Sequence, residues 1–201
     1  MPRITGATIA EHVATQEAAV VAAARRLFAE RGVAAVSLGD IAAEVGLGRT
    51  SLYRYFPTKG HILQRWFDLE MDPLLERSRA VVAEHGPGAD ALRAWLDVQL
   101  DFVTDEAHAA LVDASSAAPE LPPEVLAHFG QRHRELYGTL DDVLAAGGAG
   151  SGAAGAEARR VRALLIAGLI RSSAELVTHG VARDVVRDEL QRGALAIVGI
   201  A

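Results

Sequence analysis

A chain of 201 residues, half of them apolar and only 5% aromatic, is long enough to bury a substantial core, and its composition favours helices over sheet. The absence of cysteine excludes disulfide bonds, thiol catalysis and zinc–thiolate sites. The longest apolar run ends at Arg171 and is far too short for a membrane span, and the N-terminus has no signal-type apolar core, so we expect a soluble cytoplasmic protein with no membrane partner.

The formal charge of −6 is unevenly distributed along the chain. Residues 1–60 contain seven basic and five acidic side chains, a balance of +2, and the remainder carries −8. A DNA-binding protein needs positive charge only on the surface that meets phosphates, and an acidic body discourages binding in the wrong orientation. The acidic total therefore does not exclude a nucleic-acid partner.

The N-terminal sixty residues predict three helices. A helical stripe of apolar residues runs through 15–31. Ser37 is a strong candidate for the N-cap of a second helix, with Asp40 placed to return the hydrogen bond as a short capping box. Gly46 supplies a tight turn, and Pro57 ends the third helix.

Further along, glycine and proline positions separate the remaining helices. The sequence predicts a fourth helix from Lys59 into the eighties, then helices over 89–104, 106–116, 124–146, 157–179 and 184–198. The stretch 147–155 is nearly all Gly, Ala and Ser, which predicts a flexible loop. We identify no strand in the pattern, so the predicted fold is all-α with about nine helices.

The second and third helices have the properties of a helix-turn-helix, in which the second helix of the pair presents side chains to a DNA major groove. Its polar residues are Arg49, Thr50, Ser51, Tyr53, Arg54 and Tyr55. Arginine can bind guanine bidentately, a threonine methyl can touch thymine, and tyrosine hydroxyls can reach phosphates. Without further information, a DNA-binding pair and a generic helix pair are equally compatible with these residues.

A longer pattern resembles the TetR family of bacterial transcriptional repressors. From Ser37 to Leu63 it runs Ser-x-x-x-Ile-Ala-x-x-x-Gly-Leu-x-x-x-x-Leu-Tyr-x-Tyr-Phe-x-x-Lys-x-x-Leu, with Ile62 at the position of the family's leucine. The resemblance covers about residues 14–70. It implies a recognition helix over 48–56, base contacts from Arg49, Thr50 and Arg54, and phosphate contacts from Ser37, Tyr53, Tyr55 and Lys59. Ser37 as a simple N-cap and Tyr53 as a packing residue remain alternatives.

The same resemblance implies a DNA-binding domain over 1–60 and a ligand-binding and dimerisation domain over 61–201. Aromatic and polar side chains on the fourth, fifth and seventh helices are candidates for an effector pocket. They are Trp66, Leu69, Trp95, Gln99, Phe102, Phe129, His133 and Tyr137. Ordinary core packing remains the alternative for each aromatic residue.

The last two predicted helices carry apolar stripes that would form a two-fold four-helix interface in a homodimer. The candidate interface residues are Leu165, Leu169, Leu176, Leu190 and Leu195. Burial of these side chains inside the monomer is the alternative.

The resulting hypothesis is a repressor that binds a palindromic operator in double-stranded DNA as a dimer and is released by a small apolar or amphipathic effector. We expect no cofactor, metal or catalysis, because no Ser-His-Asp set, carboxylate pair or metal-ligand spacing stands out. Two alternatives remain: a regulator controlled by a protein partner without a ligand, and an enzyme that carries an N-terminal helix-turn-helix. The direction of regulation, the operator and the effector stay open.

Overall fold

A computed structural model describes residues 6–118, 121–146 and 152–200, and within these residues it contains ten helices and no strand. The helices are α1 (Gly6–Arg31), α2 (Leu38–Glu44), α3 (Arg49–Tyr55), α4 (Lys59–His85), α5 (Ala89–Val103), α6 (Glu106–Ser116), α7 (Pro123–Gly138), α8 (Asp141–Ala146), α9 (Gly152–Thr178) and α10 (Arg183–Val198). The all-α prediction is confirmed.

Contacts between residues divide the chain into two compact units. The N-terminal unit comprises residues up to 69 together with 110–129, and the C-terminal unit comprises 70–109 and the residues from 130 onward. Helices α4, α6 and α7 each contribute to both units. The functional boundary at residue 60 stays a prediction.

The core of the N-terminal unit is formed by the apolar faces of α1 to α4. Its buried side chains include Val20, Ala24, Leu27, Phe28, Ile41, Leu52, Phe56, Ile62, Leu63 and Trp66. Burial of each large apolar side chain contributes about 1.5–3 kcal/mol relative to exposure. The apolar stripe predicted for the first helix is therefore the face that α1 buries.

In the C-terminal unit, α9 and α10 pack against each other and both pack against α5. Helix α5 buries Trp95, Leu96 and Leu100, among others. Helix α10 buries Leu190 and Ala194 on a single face, as expected for residues four apart on a helix.

Three helix boundaries differ from the prediction. Helix α1 begins at Gly6, well before the predicted start at residue 15, so its first turns precede the apolar stripe from which the helix was predicted. The predicted helix 124–146 is interrupted after Gly138, where the Thr139 hydroxyl donates a hydrogen bond of 2.6 Å to the carbonyl of Leu136 and ends α7.

The predicted loop over 147–155 is also corrected. Residues 147–151 lie outside the described part of the chain, but 152–155 form the first turn of α9, and Gly155 is buried. Alanine favours the helix, and a small buried residue allows neighbouring atoms to approach the backbone closely. Composition alone does not distinguish such a helical turn from a loop.

Candidate nucleic-acid interface

The start of α2 is fixed by the predicted capping box. The backbone amide of Asp40 donates to Oγ of Ser37 at 3.2 Å, and the amide of Ser37 donates to Oδ2 of Asp40 at 2.8 Å. The Ser37 hydroxyl also donates to Oδ2 of Asp40 at 2.6 Å. Ser37 is therefore an N-cap, and its contact with a phosphate stays a prediction.

The charge of Asp40 is stabilised by the same cap. Hydrogen bonds from the side chain and backbone of Ser37 hold the pKa of the Asp40 carboxyl below its usual value, with smaller contributions from the charges of Arg31 and Arg49. The carboxylate therefore remains ionised at neutral pH beside the positive end of the α2 dipole. This arrangement fixes the position of α2 relative to the preceding chain.

Gly46 provides the turn between the two helices. Its φ of +68° lies in the left-handed region, which glycine adopts without steric cost. Gly48 then precedes α3 as an N-cap without a side-chain hydrogen bond. Leu52, fully buried, anchors α3 to the core.

One face of α3 points away from that core. Side chains on a helix advance by about 100° per residue, so Thr50 and Arg54 lie on the side opposite Leu52, and Ser51 and Tyr53 lie on the two flanks of that side. These four residues are exposed, as is Arg49, and Tyr53 is 52% exposed. The polar residues predicted to contact DNA are therefore accessible as a group.

Arg49 and Tyr55 lie closer to the edge of that face. At Gly39, a Cβ atom would lie 2.5 Å from Nη2 of Arg49, so the guanidinium occupies the space that a side chain at position 39 would fill. Tyr55 is half-buried. Arg49 therefore rests on the first turn of α2, whereas Arg54 lies on the central part of the exposed face.

Lys59 has a role that the sequence did not indicate. The chain contains nineteen arginines and this single lysine. Its half-buried ammonium donates to the carbonyls of Val33 and Val36 at 2.6 and 2.8 Å. A compact ammonium suits two converging carbonyls better than a planar guanidinium does. Lys59 thus anchors the connection between α1 and α2 to the start of α4, and its predicted phosphate contact remains untested.

Replacing Lys59 with methionine is expected to destabilise the protein by about 1–3 kcal/mol, because two carbonyls lose a charged hydrogen-bond donor. Urea denaturation followed by circular dichroism measures the change. Arg31→Met, which removes an exposed charge from the same unit, is the matched control and is expected to have little effect. Equal stability of Lys59→Met and the wild type would contradict the anchoring role.

Gly60 and His61, at the start of α4, also acquire structural roles. A Cβ atom at Gly60 would lie 2.6 Å from Cδ of Pro122, so the rigid proline ring requires glycine there. Nδ1 of His61 lies 2.9 Å from Oγ1 of Thr58, and its Nε2 is 3.9 Å from a carboxylate oxygen of Glu124. Sequence inspection missed the contacts with Pro122 and Glu124 because these partners lie about sixty residues away.

Comparison with known proteins agrees with this geometry. A sequence model described as "Bacterial regulatory proteins, tetR family" matches residues 20–65, which include α2, the turn and α3. The HTH-type transcriptional regulator CymR of Pseudomonas putida is 30% identical over 115 residues, 57% of each chain. EthR of Mycobacterium tuberculosis, another HTH-type transcriptional regulator, is 29% identical over 111 residues, 55% of this chain and 51% of EthR. The helix-turn-helix region of this chain, residues 20–65, is therefore of the TetR-family type.

The chain matches little more than half the length of either curated relative. A solved structure of a TetR-family bacterial regulatory protein from Rhodococcus RHA1 extends the likeness in fold. It superposes with a TM-score of 0.66 at 21% identity, covering 92% of this chain and 97% of the other. The family fold therefore extends through the C-terminal unit, where the sequences diverge.

Three of the eight predicted effector residues belong to the N-terminal unit. The guanidinium of Arg25 lies 4.7 Å above the ring of buried Trp66. The rings of Phe129 and Phe67 are 4.5 Å apart between centroids, and Leu69 is exposed. Trp66 and Phe129 have packing partners in this unit, and their contact with an effector stays a prediction.

Three other predicted effector residues pack inside the C-terminal unit. Trp95 is fully buried, and its indole nitrogen donates to Oγ1 of Thr139 at 2.8 Å. The amide of Gln99, also buried, donates to Oγ of Ser78 at 2.9 Å. Phe102 contacts the ring of His108 at 4.2 Å between centroids. These residues have structural contacts, and ligand contacts from them remain untested.

His133 and Tyr137, the last two of the eight, line a cavity of about 520 Å³ between α7 and α9. The structure brings these two predicted effector residues together there. The other six do not line this cavity. This cavity therefore draws on two of the predicted residues, and five of its nine other lining residues come from α9, whose apolar residues were predicted to form the dimer interface.

The predicted dimer residues separate into exposed and buried groups. Leu165 and Leu176 on α9 are 53% and 48% exposed, and Leu169 and Leu195 are half-buried. Leu190 is only 3% exposed, because the face of α10 that carries it packs within its own protomer, and its contact with a second copy stays a prediction.

Over 6–118, 121–146 and 152–200, no three or more His, Asp or Glu side chains are grouped so as to hold a metal ion. No helix in these ranges combines the length and apolarity needed to cross a membrane.

Proposed function

We propose that this chain is a transcriptional repressor that binds a palindromic operator as a homodimer and releases it when a small effector binds the C-terminal unit. The observation that carries the proposal is the exposed face of α3, with Thr50 and Arg54 opposite the buried Leu52 and the exposed Ser51 beside them. In a helix-turn-helix this face enters the major groove. Arginine and threonine there have the donors and methyl groups that distinguish base pairs.

Dimer formation is supported by α9. Val161, Leu164, Leu165 and Leu176 are exposed and follow helical spacing along one side of that helix. Exposed apolar stripes of this kind mark protein interfaces. A two-fold partner would cover the stripe with the same stripe of a second copy, and each copy would supply one recognition helix.

Release by an effector requires that the ligand favour a dimer in which the recognition helices no longer match successive major grooves. Reciprocity then requires operator DNA to weaken effector binding by the same factor, with a coupling of about 1–3 kcal/mol. Neither step requires catalysis.

Selection of bound fragments from random double-stranded DNA tests the proposal. The expected product is a palindrome whose half-sites lie one helical turn apart, about 34–36 Å, or a multiple of it. Arg54→Ala is the matched negative control, and Arg192→Ala, an exposed arginine on α10, is the positive control. Failure of the wild type to enrich any sequence would refute sequence-specific DNA binding.

A further inference from the structure

The cavity between α7 and α9 is unusually basic for an acidic chain. Arg134, Arg159 and Arg160 line it, and Asp141 is the acidic residue among its lining side chains. With histidine neutral, this lining carries a formal charge of +2, whereas the chain as a whole carries −6. Positive charge concentrated in a concave site raises the local concentration of anions.

Two arginines approach the cavity from different helices. Arg134 lies on α7, where its Nη1 would be 3.4 Å from a Cβ atom at Gly130, and Arg160 lies on α9. Guanidinium groups bind carboxylates through paired N–H donors, and this geometry is directional as well as strong. Because both arginines line the same cavity, an anionic group inside it can receive hydrogen bonds from two helices.

The rest of the lining is apolar or aromatic. Ala156, Ala163 and Leu164 contribute apolar surface from α9, and Tyr137 contributes its ring from α7. Burial raises the pKa of the Tyr137 phenol, although the charge of Arg171 opposes the shift, so the hydroxyl stays protonated and can donate a hydrogen bond. The cavity thus joins a cationic part to an apolar part.

We propose that the cavity between α7 and α9 binds an amphipathic organic carboxylate, with the anionic group between Arg134 and Arg160 and the apolar body against Ala156, Ala163 and the Tyr137 ring. This assignment rests on the proposed function, because it names the chemical class of the effector. A carboxylate satisfies the arginine donors, whereas a metal cation is repelled by the positive lining. A neutral ligand of the same shape gains only the apolar contacts.

Isothermal titration of the full chain without DNA tests the proposal with two probe pairs. The pairs are 2-naphthoate with 2-naphthamide, and decanoate with decanamide, which separate aromatic from aliphatic bodies. At least one carboxylate is expected to bind about tenfold or more tightly than its amide, because a charged hydrogen bond contributes more than a neutral one. Equal affinity within both pairs would overturn the proposal.

Arginine substitutions locate the binding site. Arg134→Gln and Arg160→Gln are each expected to weaken the carboxylate by about tenfold or more and to leave the amide unchanged. Both side chains are exposed, so the substitutions leave the core intact, which thermal melts verify. Arg192→Gln is the matched control and should bind the carboxylate like the wild type. Undiminished carboxylate binding by both cavity variants would overturn the assignment.

Operator binding in the absence of ligand separates this inference from the proposed function. A chain that binds its selected DNA but discriminates no carboxylate from its amide refutes the cavity assignment alone. A chain that binds the carboxylate through Arg134 and Arg160 but selects no DNA refutes the DNA-binding function and leaves the binding site in place. Where both hold, the carboxylate is expected to weaken the complex with DNA.

Discussion

The substitution Leu165→Glu is expected to make the protein monomeric and to abolish its binding to a palindromic operator. Leu165 is 53% exposed on α9 and lies beside Leu164, which is still more exposed. In a two-fold interface each substitution appears twice, so two carboxylates would be buried among leucines. Burial of unpaired charges costs several kcal/mol, and the dimer dissociation constant should rise by roughly 100-fold or more.

Sedimentation equilibrium measures the dimer, and fluorescence anisotropy with labelled DNA measures operator affinity. Leu126→Glu on α7 is a closely matched control, because Leu126 is a leucine with 54% exposure outside the proposed interface. It should remain dimeric and bind the operator normally. A Leu165→Glu protein that stays dimeric at the wild-type dissociation constant would show that this stripe is not the interface.

Local features of the fold could be predicted from sequence because their causes lie within a few residues. The capping box between Ser37 and Asp40 spans three residues, and the left-handed turn at Gly46 depends on glycine alone. The stripe that α1 buries follows from helical periodicity. The polar residues of α3 could be predicted as accessible because Leu52 and Phe56 fix which side of a short helix faces the core.

Features that depend on distant partners could not be predicted in this way. The ammonium of Lys59 binds carbonyls more than twenty residues away, and Gly60 is constrained by Pro122. Sequence patterns show that a lysine or a glycine is present but not what contacts it. The burial of Leu190 illustrates the same limit, because an apolar stripe does not state whether its partner is the same chain or a second copy.

Candidate effector residues are hard to select from sequence for a related reason, and the eight selected here stay predictions. A pocket forms where side chains from separate helices converge, and residue type gives no information about convergence. The aromatic pattern favoured Trp95, which is fully buried and donates a hydrogen bond to Thr139. It did not indicate Arg160, which lines the cavity. The positive charge of the lining could not be predicted because its arginines belong to two different helices, α7 and α9.

Replacing both recognition-helix arginines, Arg49→Ala with Arg54→Ala, is expected to remove most operator affinity while the dimer and the fold remain intact. Each bidentate contact with guanine contributes about 1–3 kcal/mol of discrimination. Arg54, on the central part of the exposed face, should have the larger single effect, since Arg49 rests on α2 above Gly39. Anisotropy titrations with the selected operator give the affinities, and Arg192→Ala serves as the charge-matched control for each single substitution.

The salt dependence of these titrations distinguishes base contacts from phosphate contacts. Removal of an arginine that binds only phosphate weakens binding to specific and non-specific DNA alike. It also lowers the slope of log affinity against log salt by about one. Removal of an arginine that binds a base lowers the affinity for the operator far more than the affinity for unrelated DNA. If Arg54→Ala changes neither the operator affinity nor the slope, α3 does not present this residue to DNA, and the proposed orientation of the recognition helix is wrong.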